Sequence, residues 1–224
     1  KILKELGIEL CAYTCAVGDI EIDREHFSRE EIGKNPFFMP DREAAKRAAR
    51  YVQACMEARD SCGGVVECVI TGVPAGLGEP CFDKLDARLA GAVMSVGAVK
   101  GVEIGDGFAA AVAKGSTNND VFVSRDGVIG KETNHAGGIL GGISDSSTVI
   151  VRAAVKPTPS IAARQRTVNK DGENIEICIH GRHDPVIVPR AVVVIEAMAA
   201  LTVADVLLDG MGAKMEHIQK IWGV

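Results

Sequence analysis

Residues 136–185 carry most of the side chains in this sequence that could take part in chemistry. Lys156 is followed by Pro157, Thr158, Pro159 and Ser160, so a cation and two hydroxyl donors lie within five residues. That combination suits an anion such as a phosphate. The glycine pairs at 137–138 and 141–142 precede it, and glycine lets a backbone approach a ligand closely. The stretch therefore predicts an anion-binding site.

The same stretch ends on Arg182, His183, Asp184 and Pro185. The Arg182 cation thus stands beside two titratable groups, His183 and Asp184, and Pro185 stiffens the loop that holds them. A neighbouring cation favours an ionised carboxylate and burial opposes one, so Asp184 is suited to proton transfer. In an alternative interpretation, Asp184 caps a turn or the helix near Arg190. His183 could equally be a structural histidine that hydrogen-bonds to backbone.

Several of these features also have simpler interpretations. Lys156 before a proline could be the end of a surface loop, and the pair Gly141-Gly142 could reflect turn geometry alone. His135 has no partner in sequence, which favours a structural role. The loop 74–80 contains glycines but lacks the lysine and hydroxyl of a phosphate-binding P-loop. A dinucleotide-binding protein is excluded because no G-x-G-x-x-G follows a strand and opens a helix.

The seven cysteines do not predict a metal site or a disulfide framework. Cys11 and Cys15 are four residues apart, but no second pair or suitable histidines accompany them. Reduced thiols in a cytoplasmic protein are the simpler interpretation. We therefore expect no metal.

Composition narrows the class of protein. A chain of 224 residues with 47% hydrophobic residues can form one large domain or two small ones with an ample core. Its net charge of −5, without a basic run, argues against nucleic acid or an anionic membrane as partner. No apolar stretch approaches the roughly 20 residues of a membrane span.

The hydrophobic pattern predicts alternating helices and strands. Predicted strands are Ile8–Ile22 (with a turn at Gly18-Asp19), Val65–Val73, Val96–Glu103, Val149–Val155 and Glu173–Ile179. Predicted helices are Lys1–Gly7, Arg42 to about Asp60 with Asp41 as its cap, Phe82–Ser95 and Arg190–Leu208. Predicted inward positions are Ala45, Ala48, Val52, Cys55, Met56, Leu85, Leu89 and Val93. Residues 116–131 are expected to form an exposed excursion.

The helix Arg190–Leu208 is apolar on most sides, which predicts a core helix covered on both faces. Because helices and strands mix without regular βαβ alternation, the predicted fold class is α+β. We expect a layered sandwich with antiparallel sheets around buried helices.

A series of motifs, in order, resembles the chorismate synthase family. Each motif alone is weak, but the ordered set is very specific. The motifs are Gly72–Pro80, Phe82–Ala87, Ala98–Phe108, Asn134–Ser144, Lys156–Ile161 and Gly181–Pro185.

The resemblance implies a lyase acting on a phosphate ester at the seventh step of the shikimate pathway, which leads to aromatic amino acids. The family converts 5-enolpyruvylshikimate 3-phosphate into chorismate and phosphate. It does so by an anti 1,4-elimination that needs reduced FMN without net redox change. The resemblance also implies a β-α-β sandwich, a homotetramer and a cytoplasmic location. It associates NADPH with the protein without saying how the flavin is reduced.

When the family's site residues are matched to this sequence by position, most of the matching residues are ones that contact the flavin. Asp184 matches the carboxylate that manages the proton at flavin N5, and His183 beside it completes the predicted catalytic pair. Lys156 and Arg182 would supply cations, and the hydroxyls of Thr158 and Ser160 would donate hydrogen bonds. Gly141 would let the ligand approach the backbone. The implied flavin contacts are Gly97, Ala98, Gly141, Lys156, Pro157, Thr158, Pro159, Ser160 and Arg182.

The sequence also departs from the family. Family segments that contain Gly-Glu-Ser-His-Gly and Arg-Ser-Ser do not occur, and Gly97 stands where many relatives have a residue such as Asn. The sequence begins at Lys1, within a helical pattern. These departures lead us to expect that residues 1–224 form a single, N-terminally truncated domain. The alternative function is a folded, non-catalytic fragment or a flavin- or phosphate-binding module.

Overall fold

A computed structural model describes residues 1–181 and 183–223 of the chain. In chain order the strands are β1 (Glu9–Val17), β2 (Ile20–Glu21), β3 (Gly64–Thr71), β4 (Val99–Ile104), β5 (Phe122–Arg125), β6 (Val128–Lys131), β7 (Ile139–Leu140), β8 (Ile143–Ser144), β9 (Val149–Val155), β10 (Gln165–Val168) and β11 (Asn174–Ile177). The α-helices are α1 (Ile2–Glu5), α2 (Arg42–Glu57), α3 (Leu85–Met94), α4 (Gly115–Asn118), α5 (Val188–Gly210) and α6 (Met215–Trp222). Short 3-10 helices are Arg24–His26, Arg29–Lys34, Gly107–Val112 and Met211–Ala213.

The main sheet is antiparallel and has the strand order β2-β1-β3-β9-β4. The other described strands form three two-stranded hairpins, β5–β6, β7–β8 and β10–β11. Each predicted strand is therefore present, with ends shifted by a few residues. The predicted α+β class, with antiparallel sheets and helices, is confirmed.

Alternation along the strands gives the sheet two different faces. Ala12, Cys68 and Val151 lie opposite one another on β1, β3 and β9, and all three are buried. One residue along, the row Tyr13, Glu67 and Arg152 points to the other face, because successive strand side chains alternate. One face therefore forms the apolar core and the other carries an ionic cluster.

Helices α3 and α5 pack against the apolar face. Leu85, Leu89 and Val93 of α3 are fully buried, which confirms the predicted inner positions. Arg88, which flanks these positions on α3, pairs with two carboxylates of α5, Asp205 and Asp209. The two helices are thus joined by both core contacts and charge.

Helix α5 differs from its prediction. Its core stripe includes Val192, Ile195 and Ala199, but Val193 and Leu201 remain 68% and 64% exposed. The expectation of cover on both faces is therefore wrong for the described residues. The physical reason is that the sheet contacts only one stripe of a helix, whatever the composition of its other sides.

The expectation that no segment approaches a membrane span is also wrong. The continuous helical segment Val188–Ala213 is long and apolar enough to cross a membrane by length and composition. Core helices have the same length and composition, and α5 packs one side on the sheet.

Helix α2 packs at the β2 edge of the sheet over a second, smaller core. Ala45, Ala48 and Val52 are buried as predicted, and Cys55 is partly buried. Met56 is 52% exposed, so its predicted inward position is wrong. It lies in the last turn of α2, beyond the residues that reach this core.

The segment 116–131 is largely the exposed hairpin β5–β6, as predicted, except at its end. The Lys131 side chain is only 4% exposed and pairs with Asp120 and Asp145. Charge pairing, which the local pattern does not reveal, therefore anchors the excursion to the rest of the fold.

Candidate functional site

The segment 156–160 continues directly from β9 and is placed by backbone contacts. Lys156 N donates to the Ala98 carbonyl oxygen at 2.9 Å. Ser61 Oγ donates to the Thr158 carbonyl oxygen at 2.7 Å. Gly63 lies so close to the Val155 carbonyl oxygen that a Cβ would clash with it. These contacts bring the predicted residues Gly97 and Ala98 beside the predicted lysine–hydroxyl segment.

Ala98 adopts a left-handed backbone conformation, with φ of +72°. Non-glycine residues with such a φ are uncommon and favour functional or tightly constrained positions. Here the conformation turns the chain from the end of α3 into β4 and presents the carbonyl that accepts from Lys156.

The Asp184 loop reaches the same region from the other side. Cys62 N donates to the Pro185 carbonyl oxygen at 2.8 Å, and Cys62 forms an isolated parallel bridge with Val186. Because Ser61 binds Thr158, the short stretch 61–62 joins both predicted segments. A cavity of about 190 Å³ lies between them, and Ser160, His183 and Asp184 line it.

Two of the buried polar atoms without a hydrogen-bond partner among the described residues belong to this region: Thr158 Oγ1 and His183 Nε2. Buried polar atoms are nearly always paired, so each such atom calls for an explanation such as a bound group. Lys156 is exposed, and it forms no ion pair with the part of the chain that the structure describes. The Thr158 hydroxyl, the His183 ring nitrogen and the Lys156 ammonium group can therefore bind a ligand.

Asp184 does have a charged partner, and sequence analysis did not identify it. Arg190 Nη1 lies 2.6 Å from Asp184 Oδ2. The predicted neighbour, Arg182, lies outside the described residues. Arg190 gives no signal of its own in the sequence, because its contact with Asp184 depends on the path of the intervening loop.

The thiol beside the cavity is not a nucleophile. Burial, and then the neighbouring Cys55, raise the pKa of Cys62 to about 12. Since the thiolate is the reactive form, Cys62 stays protonated and inert near neutral pH. Its contribution to the site is the backbone contact with Pro185.

Gly141 lies apart from the other predicted flavin contacts. It is in the turn between β7 and β8, and the next residue, Gly142, accepts from Leu85 N at the start of α3. Gly97 follows the opposite end of that helix. Ten helical residues span about 15 Å, so the two predicted contacts are separated by that length within this chain.

A second polar cluster stands near Gly137. His135 Nδ1 is 2.6 Å from Asp106 Oδ2, and Asp120 accepts from the backbone N–H groups of His135 and Ala136. Burial alone would raise the pKa of Asp120, but these backbone hydrogen bonds and Thr133 lower it. The cluster fastens the glycine-rich loop to β4, which agrees with the structural role predicted for His135.

Within the described residues, no group of three or more His, Cys, Asp or Glu side chains could hold a metal ion. The polar residues around the cavity are instead suited to hydrogen bonds and anion contacts.

Comparison with known proteins gives one consistent family. The sequence profile described as chorismate synthase matches residues 1–208. The chorismate synthase of Agathobacter rectalis is 60% identical over 218 residues, which cover 97% of this chain and 59% of that protein. The Archaeoglobus fulgidus chorismate synthase is 55% identical over 201 residues, 89% of this chain and 54% of that protein.

A solved structure described as a crystal structure of chorismate synthase has the same fold. The TM-score is 0.77 at 31% identity, and the match covers 99% of this chain and 63% of that one. This chain spans about three fifths of the length of the relatives that it matches. The matching sequence profile and the identity to these relatives place the chain in the chorismate synthase family.

Proposed function

We propose that this chain forms the flavin-side part of a chorismate synthase. The reaction is the anti 1,4-elimination of phosphate from 5-enolpyruvylshikimate 3-phosphate, giving chorismate. The observation that carries the proposal is the cavity at which the Lys156 segment meets the Asp184 loop. Beside it, Thr158 Oγ1 and His183 Nε2 have no partner among the described residues, which fits a ligand rich in hydrogen-bonding groups.

The residues present fit reduced FMN, which has a phosphate and a hydrogen-bonding ring. Lys156 and Arg182 would neutralise negative charge, and Thr158 and Ser160 would donate hydrogen bonds. When bound, reduced FMN supplies electron density to the substrate as its phosphate leaves. The assignments of Gly97, Ala98, Pro157, Pro159 and Gly141 as contacts rest on the family resemblance.

Asp184 is the residue that we assign to proton handling. Its carboxylate lines the cavity and is 35% exposed, so it can reach a ligand there. We propose that it accepts and holds the proton at flavin N5. His183 lies on the same loop, and we propose that its Nε2, which has no partner in the part of the chain that the structure describes, passes on or stabilises that proton.

Substitution of Asp184 by Asn tests this role. The amide keeps the shape and hydrogen-bonding capacity but does not take up a proton at working pH. Turnover should fall by roughly 10²–10⁴-fold, the usual contribution of a general acid–base, while FMN affinity changes far less. Asp171→Asn, at the exposed turn between β10 and β11, is the matched control and should keep normal turnover. Near-normal turnover of Asp184→Asn, with the fold intact by circular dichroism, would leave Asp184 a structural residue.

The assay should be run on two polypeptides. One is this chain by itself, and the other is this chain fused to the part of the Agathobacter rectalis chorismate synthase that the match leaves uncovered. Turnover by the fusion alone would favour the alternative function for the isolated chain, a folded module that binds flavin or phosphate without catalysis. Turnover by both would exclude that alternative.

The remaining parts of the proposal concern the whole molecule. We propose that residues 1–224 act as one domain, because β1 contributes to both hydrophobic cores, Ala12 to the larger and Val17 to the smaller. A homotetramer, a cytoplasmic location and the link to NADPH follow from the family. The partners that we propose are the substrate and further copies of this chain.

A further inference from the structure

The ion pair between Asp184 and Arg190 joins the loop of the cavity to the first turn of α5. The two charged atoms, Arg190 Nη1 and Asp184 Oδ2, are 2.6 Å apart, within hydrogen-bond distance. Asp184 also lines the cavity shared with Ser160 and His183. One carboxylate thus faces both the guanidinium and the space in which we place the ligand.

The position of Arg190 is unfavourable for the helix itself. It is the third residue of α5, at the end where the helix macrodipole is positive, and the first turn contains no acidic residue. The helix end therefore repels the cation, whereas the Asp184 carboxylate attracts it. The favourable electrostatic contact of Arg190 in the described residues is the one with Asp184.

The backbone after Asp184 is already fixed. Pro185 restricts the loop, Pro189 restricts the start of α5, and Cys62 binds the Pro185 carbonyl and bridges to Val186. The main freedom left at this point of the loop is side-chain rotation of Asp184. An ion pair at hydrogen-bond distance is the contact that limits such rotation.

Among the described residues, the other charged side chains that line the cavity form no ion pair with Asp184. Asp60 carries the same charge as Asp184, and Arg59 follows the end of α2. His183 lies on the same loop, with Nε2 left without a partner among the described residues. Without Arg190, the carboxylate would turn according to these competing charges.

We propose that Arg190 is a positioning residue, whose guanidinium holds the Asp184 carboxylate in the orientation that faces the cavity. The inference rests on the proposed function, since Arg190 acts only through Asp184. Arg190 is 74% exposed, so its replacement should leave the fold intact.

The first test compares the turnover of four variants: Arg190→Gln, Arg190→Lys, Asp184→Asn and the double variant Arg190→Gln/Asp184→Asn. They are made in the active polypeptide, which is whichever of this chain and its fusion shows turnover in the assay above. Arg190→Gln should lower kcat about 10-fold with KM within about twofold, because a misplaced group affects the chemical step more than binding. Arg190→Lys should restore part of the loss. In the Asp184→Asn background, Arg190→Gln should cause no further loss, because residues that act through one another are not additive.

The second test needs neither flavin nor turnover. In this chain with ¹³C-labelled aspartate, the Asp184 carboxyl resonance is identified by its loss in Asp184→Asn. Arg190→Gln should move that resonance more than any other aspartate signal. Arg29→Gln is the matched control, because Arg29 forms an exposed pair with Glu9 at the opposite end of the β1–β3 ladder. It should leave the Asp184 resonance unchanged.

The outcomes separate this inference from the proposed function. An unmoved Asp184 resonance, or additive losses in the double variant, would overturn the positioning role. Normal turnover of Arg190→Gln beside an inactive Asp184→Asn would overturn it as well, while the proton role of Asp184 would stand. Full activity of Asp184→Asn would instead contradict the proton role, and the positioning role with it.

Discussion

Lys156 is an exposed cation at the start of the segment 156–160, which leads to the cavity, and the first prediction concerns this residue. Lys156→Ala should weaken FMN binding by about 10-fold or more, because hydrogen bonds to charged groups contribute about 1.5–3 kcal/mol. A fluorescence titration measures the affinity. Lys170→Ala, at the exposed β10–β11 turn, is the control and should bind FMN normally. Equal affinity for wild type and Lys156→Ala would remove Lys156 from the site.

Asp41 shows how one side chain defines an element. Its Oδ1 accepts from Glu43 N at 2.8 Å and Ala44 N at 3.1 Å, which caps α2, and its Oδ2 accepts from Asp23 N at 3.0 Å. Burial would raise the pKa of Asp41, but these three backbone hydrogen bonds lower it. The residue thus fixes both the start of α2 and the path of the preceding loop.

The second prediction follows at the scale of this helix. Asp41→Ala should reduce the free energy of unfolding by about 1–2 kcal/mol, at the upper part of the range for lost N-caps, because the side chain is also buried. Urea unfolding measures the change. Glu43→Ala, two residues on and exposed, should cost far less. Equal losses for the two variants would contradict the capping role.

Helix α5 has an exposed apolar side that bears on the assembly of the protein. Its sheet side is buried and its opposite side exposes Val193, Leu201 and Leu208. Apolar surface of this kind is common where further protein packs in an assembly. It agrees with the proposed homotetramer.

The third prediction concerns assembly, at the scale of the whole molecule. The active polypeptide should form a tetramer at micromolar concentration, which light scattering would show directly. Closed symmetric oligomers are the usual form of soluble assemblies. A strictly monomeric, active protein would contradict the proposal.

The ionic cluster on the second sheet face links distant parts of the molecule. Glu67 is 1% exposed and binds Arg24 from the segment after β2, Arg152 from β9, and Tyr13 from β1. Burial alone would raise the pKa of Glu67, but the hydrogen bonds from these partners lower it from 4.5 to about 2. The ionised form is therefore the one that the fold stabilises.

The fourth prediction is the resulting pH dependence. A carboxyl with a lowered folded-state pKa stabilises the fold fully above its unfolded pKa, here 4.5, and loses that contribution as pH falls toward about 2. The loss should approach about 3 kcal/mol, and urea unfolding between pH 2 and 7 measures it. Glu67→Gln should flatten this dependence, whereas Glu57→Gln, on the exposed side of α2, should not. The same slope in wild type and Glu67→Gln would contradict the assignment.

Local patterns in the sequence predict the elements and the segments that meet at the candidate site. Alternation identified the sheet strands, the Asp41 cap located α2, and helical spacing selected Leu85, Leu89 and Val93 as core. These signals are local, because capping and periodicity depend on residues a few positions apart. The motif order also selected the segments at Lys156 and Asp184, which the structure brings to one cavity.

Contacts between residues that are distant in the chain follow from the tertiary fold and cannot be read from local patterns. The pairing of Asp184 with Arg190, the burial of Lys131 and the separation of Gly141 from Gly97 depend on how loops run through space. The exposed side of α5 has the same origin. Apolar composition says which side chains can be buried, but the number of layers that pack against a helix is set by the arrangement of the other elements around it.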